Sequence, residues 1–215
     1  MKADAKAFAS FLEGAFPDAH CSLHFSNPFE ALVAVMLSAQ TTDEAVNRVT
    51  PSLFEAYPNA FALSQATQEE VEAHIKSLGL YHNKAKNLVA LSRVLVNQFN
   101  GDVPSSFEDL LTLPGVGIKT ANVVCAECFG RPAIPVDTHV ARVSKRVGYA
   151  KNKDEPADVE KRLEKIFPKD SWIPLHHRII AFGREICHAL SPECHRCGLQ
   201  SLCPYRAKAL TKAGK

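Results

Sequence analysis

Apolar residues recur at helical steps along almost the whole chain, and the strict alternation of a half-buried strand is essentially missing. Phe8, Leu12 and Phe16 lie four residues apart and predict a helix over 5–16. Residues 28–38 are apolar on nearly every side (Phe29, Leu32, Val33, Val35, Met36, Leu37), the pattern of a helix enclosed by others. Three Ser/Thr-x-x-Glu pairs, Thr41/Glu44, Thr67/Glu70 and Ser105/Glu108, predict helix starts through capping boxes. Gly79, Gly101 and Gly130 follow apolar-periodic runs and predict helix stops. Asp137 opens a helix running through Val140, Val143 and Val147 to Gly148. After the turn KNKDEP, Pro156 starts another, whose apolar face is Val159, Leu163 and Ile166 and which Pro168 ends; the last long helix covers 173–189. The fold class is therefore all-α. No linker or repeat divides the chain, and the candidate boundaries lie near 20–23 and 131–135.

The 215 residues, 46% hydrophobic and 22% charged, suffice for one large domain or two modest ones. No apolar run approaches the roughly 20 residues of a membrane helix. The first twenty residues mix charge with apolar positions, unlike a secretory signal, so the expected location is inside the cell. The formal charge of +2 is too small to announce a nucleic-acid partner, but its distribution is uneven. Residues 1–80 hold four Lys/Arg against ten Asp/Glu, a balance of −6, which leaves +8 for the remainder. The basic surface lies in the later two thirds.

Of seven cysteines, four crowd the C-terminus as Cys187-x6-Cys194-x2-Cys197-x5-Cys203. An odd total with such clustering suits a metal site better than a disulfide framework, and the spacing alone leaves zinc and an iron-sulfur cluster both open. Cys125 and Cys128 share a helix with Val123 and Val124 and read as small core residues, with a redox pair as the alternative.

The densest chemistry lies in LPGVGIKTANVVCAECFGRPAIPVD, residues 113–137. Pro114-Gly115-Val116-Gly117 between two helical runs is a helix-hairpin-helix pattern. Its glycines let the turn expose backbone N–H groups, and the following helix presents its positive dipole end at the same point. A phosphate can dock there without a cationic side chain. Such a contact positions DNA but reads no sequence. Lys119, in the first turn of that helix, is either one more phosphate-binding cation or a nucleophile. Asp137 is either a simple N-cap or the proton-handling partner such a nucleophile needs, because an unperturbed lysine amine is almost wholly protonated at pH 7.

LPGVGIKTANVV, VDTHVARVSKRVG, HHRIIAFGREIC and the four closing cysteines together resemble the endonuclease III family, from about Phe29 to Cys203. The resemblance implies a two-lobed helix-hairpin-helix glycosylase fold, with a barrel domain over 22–133 and a discontinuous cluster domain over 1–21 and 134–215. It implies a [4Fe-4S] cluster on Cys187, Cys194, Cys197 and Cys203. It makes Lys119 the nucleophile and Asp137 its partner, facing each other across a cleft. Gln40 and Leu80 match the residues that fill the gap left when a damaged base leaves the stack; otherwise they read as a helix end and ordinary packing. Gly115, Val116 and Gly117 bind the DNA backbone, and His139 supports the pocket or a phosphate. The implied activity is removal of oxidised pyrimidines from duplex DNA with lyase cleavage at the abasic site, by a monomer that needs no membrane. Four thiolates on a 2+ core carry −2, which offsets the chain's +2 and suits a structural staple. The alternatives are a monofunctional adenine or mismatch glycosylase, which would lack a lysine at position 119, and a non-catalytic DNA-binding module stapled by zinc.

Three positions depart from the family pattern: Ile118 where a basic residue often precedes the lysine, Phe182 where a histidine often precedes Gly-Arg, and HALSPE between the first two cysteines. Each predicts a lost polar contact to DNA.

Overall fold

In the computed structural model, described for residues 2–207, every regular element among the described residues is helical. The chain divides into two compact units: Cys21–Arg131, and the stretch up to His20 joined to the chain from Pro132 onward.

The Cys21–Arg131 unit holds α2 (Pro28–Leu37), α3 (Asp43–Ala56), α4 (Ala60–Gln65), α5 (Gln68–Ile75), α6 (Tyr81–Phe99), α7 (Phe107–Thr112) and α8 (Ile118–Phe129). α2 is its axis: Asn27 caps it, Pro28 starts it, and Phe29 together with every residue from Ala31 to Leu37 is buried. It packs against α3, α6 and α8, which places the helix carrying Lys119 directly on the core.

The other unit holds α1 (Ala5–Ala15), α9 (Thr138–Val147), α10 (Pro156–Ile166), a 3₁₀ turn (Lys169–Ser171) and α11 (Trp172–Glu185). Its core is aromatic: Phe8 meets Tyr149 edge-on at 5.3 Å, and Phe182 meets Phe11 edge-on at 5.7 Å. The Ala3 N–H donates to the Val147 carbonyl at 2.8 Å, tying the N-terminal segment to the end of α9.

The capping pattern is partly one residue out of register with the sequence expectation. Thr67 and Glu70 form the expected box, but α3 is capped by Thr42 and α7 by Ser106, not by Thr41 and Ser105. In both doublets the second hydroxyl reaches the N3 amide, which leaves Thr41 available for another partner. Gly130 stops α8 as expected, with φ 61°. The stop at Gly101 is shared, because Asn100 is the left-handed cap and Gly101 follows it at φ 84°. Gly79 is not left-handed and stops no helix: α5 ends at Ile75 with Lys76 as its cap, and the left-handed residue is Leu80, the N-cap of α6, at φ 59°. α11 ends at Glu185, four residues before the expected Ala189, because the chain turns there into the cysteine loop.

Candidate active site

The hairpin between α7 and α8 is built around one indispensable glycine. Gly115 has φ 79°, and a Cβ there would lie 2.8 Å from Met36 Cε and 2.9 Å from Asn87 Nδ2, so the turn is pressed onto α2 and α6. Gly117, the second glycine expected to open the turn, is not conformationally special. Its φ of −100° suits any residue, and a Cβ would meet nothing within 4 Å. Val116 is buried, and its N–H donates to the Leu113 carbonyl at 3.1 Å, so its amide already has a partner within the hairpin. The outward donors are those at the start of α8, where Gly117 is the N-cap residue and no side chain caps the helix among the described residues. An uncapped, exposed N-terminus presents orphan N–H groups and positive dipole charge together.

This geometry separates the two glycines. Gly115→Ala is expected to cost about 2–3 kcal/mol through left-handed strain and overlap, lowering Tm by several degrees. Gly117→Ala is expected to stay within about 0.5 kcal/mol while weakening DNA binding, since a methyl there obstructs only an approaching backbone. Thermal unfolding beside DNA titration checks both.

Lys119 is the second residue of α8 and is exposed, as is Ile118 before it at 58%. In the same unit, Gln40 and Leu80 are both exposed and both left-handed, at φ 55° and 59°. Among the described residues only Asn100 joins them as a non-glycine with positive φ. A leucine 56% exposed and held in a conformation leucine disfavours is not ordinary packing. Gln40, Leu80 and Gly115 line one cavity of about 150 Å³, along with Met36, Asn83, Lys84 and Asn87.

In the other unit Asp137 is the N-cap of α9, its Oδ1 accepting from the Val140 N–H at 2.7 Å. The capping role is therefore real; it occupies one carboxylate oxygen. His139 Nδ1 lies 3.0 Å from Arg142 Nη2, which as a guanidinium nitrogen can only donate. Burial, helped by Arg142 and Arg184 and opposed by Asp137, holds the His139 imidazole below its ordinary range and favours the neutral ring. The contact tethers the ring to Arg142 one turn along the same helix.

Two arginines one helical turn apart on α9 organise the cysteine loop. Arg142 Nε donates to the Cys187 carbonyl at 3.1 Å and Nη2 to the Gly183 carbonyl at 2.8 Å. Arg146 donates to the carbonyls of Cys187, His188 and Ala189 and reaches Cys187 Sγ at 3.3 Å. Arg146 also stacks on the Tyr205 ring, 4.5 Å from its centroid. Cys187, Cys194, Cys197 and Cys203 line one apolar cavity with Arg146 and Tyr205, and none is in a disulfide. Four thiols on one cavity, one already facing a guanidinium, are a donor set suited to thiolate ligation. Among the described residues no three His, Cys, Asp or Glu side chains converge on a point for a single ion. Arg142 and Arg146 escaped the sequence reading, although their spacing of four along an amphipathic helix was the available signal.

Phe182 corrects one sequence expectation. It is 2% exposed, buried between Phe11 and Phe16, so its aromatic character serves the core and marks no lost surface contact. Ile118 and the HALSPE loop are different: Ile118 and Leu190 are both exposed. Burial pushes the Cys128 thiol up to about 11, and Cys125 is raised by the same cause, as befits core thiols rather than a reactive pair.

Residues 33–169 match the model of the HhH-GPD superfamily base excision DNA repair proteins. Endonuclease III of Bacillus subtilis (strain 168) is 53% identical over 188 residues, covering 87% of this chain and 86% of the relative. A solved non-covalent endonuclease III–DNA complex superposes with a TM-score of 0.93 at 48% identity, covering 98% of this chain and 100% of that one. A trapped endonuclease III–DNA covalent intermediate, an estranged-adenine complex, gives 0.91 at 49% identity, covering 96% and 98%. On this footing the chain belongs to the endonuclease III family of HhH-GPD base excision DNA repair proteins.

Proposed function

We propose that this base excision DNA glycosylase removes oxidised pyrimidines from duplex DNA and cleaves the strand at the abasic site it creates, with Lys119 as nucleophile and Asp137 as the proton-handling group. The observation that carries the reading is an exposed lysine in the first turn of an uncapped helix N-terminus, behind a hairpin glycine fixed by packing. Backbone donors there hold a phosphate, which brings the sugar of the same strand to the lysine.

The chemistry follows from the two side chains. The Lys119 amine attacks C1′ and the glycosidic bond breaks, the departing base taking the bonding pair and a proton. The sugar ring opens as C1′ becomes a protonated Schiff base. That iminium acidifies the C2′ proton; its removal expels the 3′ phosphate by β-elimination and breaks the strand, after which water hydrolyses the imine, freeing the Lys119 amine and leaving an unsaturated aldehyde on the 3′ end. Asp137 handles protons and stabilises the positive charge developing on the sugar. Gln40 and Leu80 occupy the space that the extruded nucleotide leaves.

Cys187, Cys194, Cys197 and Cys203 would hold a [4Fe-4S] cluster that staples the loop. The four thiols share one cavity and suit thiolate ligation, and the choice of a cluster over zinc rests on the likeness to the endonuclease III family. Purified protein is expected to be brown and to contain iron and sulfide; colourless protein containing zinc would contradict this assignment. No helix among the described residues is long and apolar enough to cross a membrane.

Incubation with duplex DNA carrying one oxidised pyrimidine tests the reading. The expected products are the free base and a nicked strand bearing a 3′ unsaturated aldehyde. A released base with an intact abasic strand would instead support the monofunctional alternative. Ile118→Arg is expected to tighten binding at low salt and to steepen the log–log salt dependence by about 0.9. An unchanged slope would show that position 118 does not face the phosphates.

A further inference from the structure

Lys84 is 8% exposed, an unusual place for an ammonium group, and burial pushes its pKa below the ordinary lysine value. It lies in the first turn of α6, and its Nζ donates to Thr41 Oγ1 at 2.5 Å. The Thr41 hydroxyl in turn donates to the Ala39 carbonyl at 3.4 Å, so ammonium, hydroxyl and carbonyl form a chain bracketing Gln40. The Thr41 N–H closes the same turn by donating to the Ser38 carbonyl at 3.1 Å. On its backbone side, the Lys84 N–H donates to the Leu80 carbonyl at 3.1 Å. One residue thus holds the Gln40 segment by its side chain and the Leu80 segment by its main chain, along the cavity that all three line.

A hydrocarbon of similar length would fill this space without the cost of desolvating a charge, so packing does not explain the lysine. Nor does helix capping explain Thr41, since Thr42 caps α3. What the pair joins is the two exposed left-handed residues, Gln40 and Leu80. We propose that Lys84 is a positioning residue that, through Thr41, locks Gln40 and Leu80 at a fixed separation, so that they enter the duplex as a preset pair. The proposal rests on the reading of Gln40 and Leu80 as gap-filling residues.

The test uses full-length, cluster-loaded protein and duplexes with or without a tetrahydrofuran abasic analogue. Lys84→Met keeps the length and the apolar stem, and Thr41→Val keeps the volume. Each is expected to lose about tenfold in affinity for the abasic analogue, with unmodified duplex bound within about twofold of wild type. The double variant is expected to lose no more than the worse single one, because both remove the same link. In DNA-free protein the Thr41 amide is expected to exchange hydrogen faster in Lys84→Met, a readout that does not depend on what Gln40 does in DNA. Wild-type affinity in both variants, equal losses on unmodified duplex, additive losses, or unchanged Thr41 exchange would each overturn the proposal. Gln40→Ala separates the two levels. If it binds the abasic analogue as tightly as wild type, the gap-filling reading fails and takes the proposal with it; if it weakens binding while Thr41→Val does not, only the Lys84 proposal fails.

Discussion

Lys119→Met is expected to abolish strand cleavage and covalent capture, lowering turnover by about three orders of magnitude or more, while the protein still folds and still binds damaged duplex. The separation follows from where the side chain sits. Lys119 is exposed on the first turn of α8, so its removal should change stability by no more than about 0.5 kcal/mol. The proposed phosphate contact uses main-chain donors at the helix start, so affinity for an abasic analogue should fall by less than about tenfold, the share of one lost cation. Single-turnover cleavage, thermal unfolding and binding, measured on one preparation, check all three parts. A variant that cleaves at near wild-type rate would remove the lysine from the chemistry.

Asp137→Asn is the second large effect, and here two roles must be separated. The carboxylate caps α9 through Oδ1, and asparagine caps a helix about as well, so stability should hardly change. The amide cannot accept or return a proton, and base release should fall by about 10²–10⁴. Asp137→Ala should lose the same activity and, in addition, about 1 kcal/mol of stability with the cap. If Asn retained activity and only Ala lost it, Asp137 would be a cap and nothing more.

Much of this molecule was legible in its residues because helical periodicity is a strong signal when nearly every segment carries it. The all-sided apolarity of residues 28–38 identified the axis of one unit, and α2 is buried over nearly its whole length. The hairpin was legible from Gly115 and Gly117, yet only packing distinguishes them: one is left-handed against α2 and α6, the other is unconstrained. Position within a doublet was not legible. Thr41 and Thr42 are chemically identical cap candidates, and the choice between them is made by which hydroxyl meets the N3 amide and which meets Lys84. Leu80 was obscured by its neighbour, since Gly79 is the residue a left-handed turn would be expected to use. Phe182 looked like a surface substitution until its aromatic neighbours placed it in the core. Lysine and arginine read as surface residues in any sequence, which is why Lys84, Arg142 and Arg146 emerged only from tertiary contacts.

The proposed mechanism requires a covalent bond between one lysine and a sugar carbon, and borohydride reduction during turnover on an oxidised-pyrimidine duplex, followed by peptide mapping, measures that bond directly. The expected result is one DNA-linked peptide carrying the modification at Lys119, and no adduct from Lys119→Met. Linkage at another residue, or efficient trapping by that variant, would contradict the mechanism.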